Sequence, residues 1–283
     1  MPKPICLITG ATDGVGRATA AELVAKGFTV VLAARNAAKA EAVKAGIAGA
    51  GSGEVGIILA DLTSLMAVRR LAETFKTRYA RLDVLINNAG VFMPARKLTE
   101  DGFEATYQIN YLSGFLLTQF LLEPLLRSRQ GRIINLTSSV YAVGRFDEAN
   151  LQSEKGYSVF GAYSASKLFV LLSSLEQAKR LSRTAITVNA MHPGVVRHPN
   201  DAARAGRLQD RLLAGTAFRD FPAEGRRPFG LSRDLTEGRL GDGPIFRGRQ
   251  SGRHQKQLQH PATRRRLWEV SVSSLRDRRM LDE

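Results

Sequence analysis

The chain has 283 residues, a hydrophobic fraction of 44% and a formal net charge of +15, which is long enough for one large α/β domain with a sizeable core. The single Cys6 excludes an internal disulfide, and no Cys/His cluster has metal-ligand spacing; a lone thiol fits the cytoplasm. The charge points toward nucleic acid or an anionic membrane, yet nearly half of the excess lies after residue 197, where all but one of the basic residues are arginine.

Residues 4–9 form an apolar run too short for a signal peptide or a membrane anchor, and they read as a first strand. Thr9-Gly10-Ala11-Thr12-Asp13-Gly14-Val15-Gly16 follows at once, then alanines and leucine at helical spacing from Arg17 to Lys26. In the order strand, glycine turn, helix, such glycines let backbone N–H groups approach a pyrophosphate at the helix's positive end. The plainer alternative is a tight turn with no ligand. A second buried strand, 28–34, ends at Arg35-Asn36. An acid here suits a ribose 2′-hydroxyl, whereas an arginine suits a 2′-phosphate. Arg35, with Arg17 nearby, therefore favours NADP(H) over NAD(H), and a merely solvated Arg35 is the alternative.

Residues 36–50 predict a helix, 54–60 a third strand ending at Asp61-Leu62, and 64–79 an amphipathic helix with Leu65, Val68, Leu71, Ala72 and Phe75 inward. The fourth strand, 82–86, runs into Asn87-Asn88-Ala89-Gly90. Strands alternating with helices at this rhythm imply a Rossmann-type doubly wound parallel sheet in three α/β/α layers. Residues 99–127 predict one long helical region containing Asn110, by itself an ordinary helix asparagine making a backbone bond. The fifth strand, 131–136, leads into Thr137-Ser138-Ser139, at the strand edge where open α/β sheets bind ligands. Residues 160–181 predict the helix carrying Tyr163 and Lys167, and 185–190 the sixth strand, ending in Met191-His192-Pro193-Gly194-Val195-Val196-Arg197.

Tyr163 and Lys167 are four residues apart, so both project from one helix face. An ammonium beside the phenol favours phenolate, lowering the tyrosine pKa from about 10 and letting it exchange a proton near neutral pH. The pair alone is weak, because this spacing arises by chance on many solvated helices.

Taken together, TGATDGVG, NNAG, Asn110, Ser138-Ser139, YSASK and HPGVV, in this order and spacing, resemble the short-chain dehydrogenases/reductases over about residues 4–197. The stretch LQSEKGYSVFGAYSASK is similar to their retinol dehydrogenase-like group. The resemblance implies an oxidoreductase with Tyr163 as general acid/base, Lys167 lowering its pKa and binding the nicotinamide ribose, and Ser139 bonding the substrate oxygen. It implies that Asn110 anchors a water linking Lys167 to solvent. Thr9, Gly10, Thr12, Asp13, Gly14, Val15, Gly16 and Arg17 would form the phosphate turn. Asp61 and Leu62 would lie by the adenine, Asn88 would tie neighbouring strands together, and Ala89, Gly90, Pro193, Gly194 and Val195 would line the cofactor's path. The implied substrate is a small apolar alcohol or carbonyl compound, with no nucleic-acid partner and a homodimer or homotetramer as the assembly.

After Arg197 the resemblance stops, leaving a dinucleotide-binding and catalytic core over 1–197. Residues 198–260 are rich in Arg and Gly with scattered Pro and show neither helical nor strand periodicity, which leaves a seventh strand in doubt. From Pro261 to Ser271 the chain again looks like the family's C-terminal helix, in a tail spanning 261–283. A pattern that vanishes and returns suggests a reading-frame slip over about 198–260. One permitted codon set for Arg227–Thr236, displaced by one base, reads DHSVYLATS, which looks like a family helix. The competing basic nucleic-acid tail has few aromatic residues for stacking and has acids interspersed.

Overall fold

The computed structural model describes residues 2–193 and 260–282. Gly194, Val195 and the stretch 198–259, with any seventh strand, lie outside the described residues.

Six strands, β1 (Ile5–Thr9), β2 (Thr29–Ala34), β3 (Glu54–Leu59), β4 (Val84–Asn87), β5 (Arg132–Leu136) and β6 (Thr187–Met191), form one parallel sheet in the order β3-β2-β1-β4-β5-β6. The order reverses direction between β1 and β4, and that switch point opens a crevice at the strands' carboxyl ends. Helices cover both faces, so the strands are near-continuous apolar runs, and side-chain alternation divides the core in two. Leu7, Val31, Leu85 and Ile133 face α3 (Leu65–Arg78), α5 (Ser113–Phe120) and α7 (Val159–Arg180). Cys6, Ile8, Val30, Leu32 and Ile86 face α1 (Gly14–Ala25) and α2 (Ala37–Ile47).

The expected helical region over 99–127 is helical from Ala105 onward and falls into several segments. Residues 99–104 form a turn, with Gly102 at φ 80°, the Thr99 N–H donating to the Phe103 carbonyl at 2.8 Å and a bridge between Leu98 and Glu104. Helix begins at α4 (Ala105–Tyr107), where the buried Glu104 carboxylate accepts from the Thr106 and Tyr107 N–H groups at 2.8 and 2.7 Å. A π-helical turn, Gln108–Leu112, precedes α5, and α6 (Leu122–Leu126) follows after a break at Leu121. Side chains in and beside the π turn bond to other segments: Gln108 to Asp101 at 2.8 Å, Asn110 to Val91, and Ser113 to the Leu62 carbonyl at 2.8 Å. A wider turn at such a place commonly marks a functional site, and here it aims Asn110 at the end of β4.

The tail folds back as α8 (Pro261–Asp277), a longer helix than 261–271, with proline in its first turn. Leu267 and Leu275 are fully buried, the Tyr111 and Ser271 hydroxyls hydrogen-bond at 2.8 Å, and the Arg180 guanidinium sits 4.4 Å from the Trp268 ring centre.

Candidate active site

The turn between β1 and α1 is built from backbone. It bends through Gly10 at φ 65° and Gly14 at φ 50°, and the Asp13 carboxylate caps α1 by accepting from the Gly14 N–H at 2.8 Å. A Cβ at Gly10 would stand 2.8 Å from the Ala89 Cα, and one at Gly16 only 2.4 Å from the Gly10 carbonyl oxygen, so neither bend closes with a larger residue. The Asn88 side-chain amide donates to the Thr9 and Gly10 carbonyls at 2.8 and 3.0 Å. The backbone N–H groups of Asn88 and Ala89 each donate to the Thr9 hydroxyl at 3.1 Å. These bonds fix the ends of β1 and β4 against each other, with the positive end of α1 facing the crevice.

The crevice is a cleft of about 740 Å³. Gly10, Thr12, Asp13, Gly14, Val15 and Gly16 line its middle; Arg35, Asp61 and Leu62 line one end; Asn88, Ala89, Gly90, Tyr163, Lys167 and Pro193 line the other. Thr9 works behind this surface. Arg17 is not a lining residue: it is exposed, and its guanidinium reaches to 3.9 Å from where a Cβ on Gly46 would stand, toward the far end of α2. The cation beside Arg35 is instead Lys39, in the first turn of α2, where the Asn36 side chain accepts from the Lys39 N–H at 2.9 Å. A lysine three residues past an N-cap asparagine was the available signal. Arg35 itself is exposed, with only a 4.0 Å approach to Asp61.

The other end is built from side chains. The Lys167 ammonium is buried, donates to the Leu136 carbonyl at 2.9 Å and lies 5.6 Å from the Tyr163 ring centre. Burial brings its pKa down to about 8. The phenol of Tyr163 is pushed up by burial and held down partly by a hydrogen bond with Ser138. One expectation changes here: the dominant influence on Tyr163 in this structure is burial, which raises its pKa. Ser139 starts a 3-10 turn (Ser139–Val143) as the chain leaves β5.

Asn110 does not line the cleft. Its side-chain oxygen accepts from the Val91 N–H at 2.7 Å, and its amide donates to the Val91 carbonyl at 3.0 Å and the Ser166 hydroxyl at 3.1 Å, which in turn donates to the Tyr163 carbonyl at 2.7 Å. The amide is thus engaged in joining the π turn to β4 and to α7. Val91, Phe92 and Ile109 complete this wall, and no pattern in the sequence points to them.

These residues fit a dinucleotide. The two glycine bends leave backbone where phosphate oxygens can approach, a helix start faces them, and the volume lies within the range of about 300–1,000 Å³ usual for small-molecule sites. A glycine-cradled cleft at the β1/β4 switch point, with tyrosine and lysine at one end, defines a dinucleotide-dependent class of protein. The chain belongs to the short chain dehydrogenase family, whose model matches residues 4–207. It is 43% identical over 202 residues to retinol dehydrogenase 14 of Mus musculus, a match covering 68% of this chain and 60% of that relative. A crystal structure of an uncharacterized protein from Mycobacterium paratuberculosis is similar at 31% identity and a TM-score of 0.70, covering 98% of this chain and 96% of the other. The Pseudomonas aeruginosa RhlG/NADP active-site complex is similar at 31% identity and a TM-score of 0.60, covering 73% of this chain and 78% of the other. Among the described residues, no helix is long and apolar enough to cross a membrane.

Proposed function

We propose that the chain is an NADP(H)-preferring oxidoreductase moving a hydride between nicotinamide and an apolar alcohol or carbonyl compound. The observation that carries this reading is that the glycine cradle and the Tyr163 and Lys167 side chains line one cleft. A bound nicotinamide supplies or accepts the hydride; the protein's part is to hold and polarise. The turn from Gly10 to Gly16 would hold the pyrophosphate, Asp61 and Leu62 the adenine side, and Arg35 with Lys39 a 2′-phosphate. Lys167 would bond the nicotinamide ribose hydroxyls.

In the reducing direction Tyr163 acts as the acid. Burial keeps its phenol protonated at neutral pH, and Ser139 would bond the carbonyl oxygen as it gains charge. When the proton leaves Tyr163 Oη for that oxygen, the Lys167 ammonium and the Ser138 hydroxyl stabilise the phenolate. Oxidation runs the same proton backward. A cytoplasmic location, supported by the single buried Cys6, and a homodimer or homotetramer complete the reading. Relatives named as retinol dehydrogenases favour a retinoid-like apolar substrate.

A second reading rests on the lost helical and strand periodicity over 198–260: residues from about 198 to 260 are translated out of frame, and the chain binds dinucleotide without turning substrate over. One titration separates the two. Enhanced NADPH fluorescence on mixing, followed by turnover on a panel of aldehydes that Tyr163→Phe abolishes, supports the oxidoreductase. Binding without turnover supports the second reading, and turnover untouched by Tyr163→Phe overturns the mechanism. Sequencing codons 190–265 tests the frame slip directly, since an uninterrupted frame matching that of close relatives removes it.

A further inference from the structure

Phe92 is a large apolar side chain left 58% exposed, although its surroundings are held firmly. The residue before it, Val91, has both its N–H and its carbonyl taken by the Asn110 side chain at 2.7 and 3.0 Å. The carbonyl of the residue after it, Met93, accepts from the Tyr157 hydroxyl at 2.7 Å. The backbone carrying Phe92 is therefore fixed from two sides, by the π turn and by the loop before α7. Its ring lies nearly parallel to that of Tyr163, with centroids 3.7 Å apart and planes 19° from each other. Both rings line the cleft.

An exposed aromatic gains little from burial where it sits. Held rigidly over the candidate proton donor, it covers one ring face of Tyr163 and offers an apolar plane beside the place where the reacting carbonyl must lie. Flat, conjugated groups stack on such a plane at small entropic cost, whereas a tetrahedral carbon next to the carbonyl meets it edge-on.

We propose that Phe92 is a positioning and selectivity residue, aligning Tyr163 and favouring carbonyl compounds whose adjoining carbons are planar and conjugated over saturated ones. This rests on the oxidoreductase reading above and deepens it.

The test uses the full chain with NADPH and two aldehydes of one skeleton, cinnamaldehyde and 3-phenylpropanal. The ratio of their kcat/KM values is compared between variants, so that their different intrinsic reactivities cancel. Phe92→Leu is expected to shrink the preference for cinnamaldehyde by about two- to tenfold, mainly through KM, while Phe92→Trp keeps it. A second readout needs no turnover: the ultraviolet ionisation of Tyr163, taken as the difference from Tyr163→Phe, should move to lower pH in Phe92→Ala, because uncovering the ring hydrates the phenolate. An unchanged ratio in Phe92→Leu, or an unmoved Tyr163 midpoint in Phe92→Ala, overturns the proposal. Absence of any Tyr163-dependent turnover in the unaltered chain sinks the oxidoreductase reading instead, and the ionisation readout still reports whether Phe92 packs on Tyr163 in solution.

Discussion

The two ends of the cleft are made of different materials. The glycine end is main chain: its shape comes from φ values at Gly10 and Gly14, from the space denied to a side chain at Gly16, and from carbonyls pinned by Asn88. The tyrosine end is side chain: a buried ammonium, a half-buried phenol, one serine hydroxyl and a stacked phenylalanine, brought together from β4, β5 and α7. A backbone-built site tolerates changes in nearby side chains and fails when a glycine changes. A side-chain-built site depends on the ionisation and placement of single groups, so substitutions there separate binding from chemistry.

The largest effect expected from breaking that contrast is at Tyr163. Tyr163→Phe should reduce turnover by roughly 10²- to 10⁴-fold and leave the NADPH dissociation constant nearly unchanged in a fluorescence titration; equal losses in both would mean the two ends are not separable.

Next comes Lys167. Its folded pKa, about 8, lies below the ordinary lysine value because burial disfavours the charge. The unfolded chain therefore binds more protons between about pH 8 and 10.4, and stability should rise with pH across that window. The gain amounts to roughly 3 kcal/mol from this group. Lys167→Met should flatten that rise in urea unfolding followed at several pH values; a rise of the same size in the variant would exclude Lys167 as its source.

A smaller effect is expected from the cations that sharpen the glycine end. Replacing Arg35 and Lys39 together by alanine should weaken NADPH by about 10- to 100-fold, as the loss of charge-assisted hydrogen bonds implies, while NADH binding holds. Arg17→Ala should leave both cofactors unaffected, since that side chain is turned away. Comparable weakening of NADPH and NADH in the double variant would mean these cations do not read the 2′-phosphate.

The smallest effect concerns the bridge between the ends. Asn88→Ala removes two bonds to the Thr9 and Gly10 carbonyls and should cost about 1–3 kcal/mol of stability, read as a lowered urea midpoint. A midpoint unmoved by the change would show that the strand ends hold without it.

Much of this was legible in the chain itself. The glycine spacing after a six-residue apolar run announces the turn, because only glycine meets its steric demand, and that demand is local. The strand and helix rhythm predicts the doubly wound sheet, since period and burial are set within each segment. Tyr163 and Lys167 share a helix face for the same reason. The breaks within the helical region over 99–127 are not legible in its pattern, because Gln108, Asn110 and Ser113 bond to groups outside the helix.

Only the tertiary structure decided how groups from different segments meet. The direction of the Tyr163 shift follows from burial, which a four-residue spacing does not contain. Lys39, and not Arg17, lines the cleft beside Arg35, and Phe92 reaches Tyr163 because two distant side chains clamp its backbone. Local sterics and periodicity are written residue by residue; charge environment and contact between segments arise only when the chain is packed.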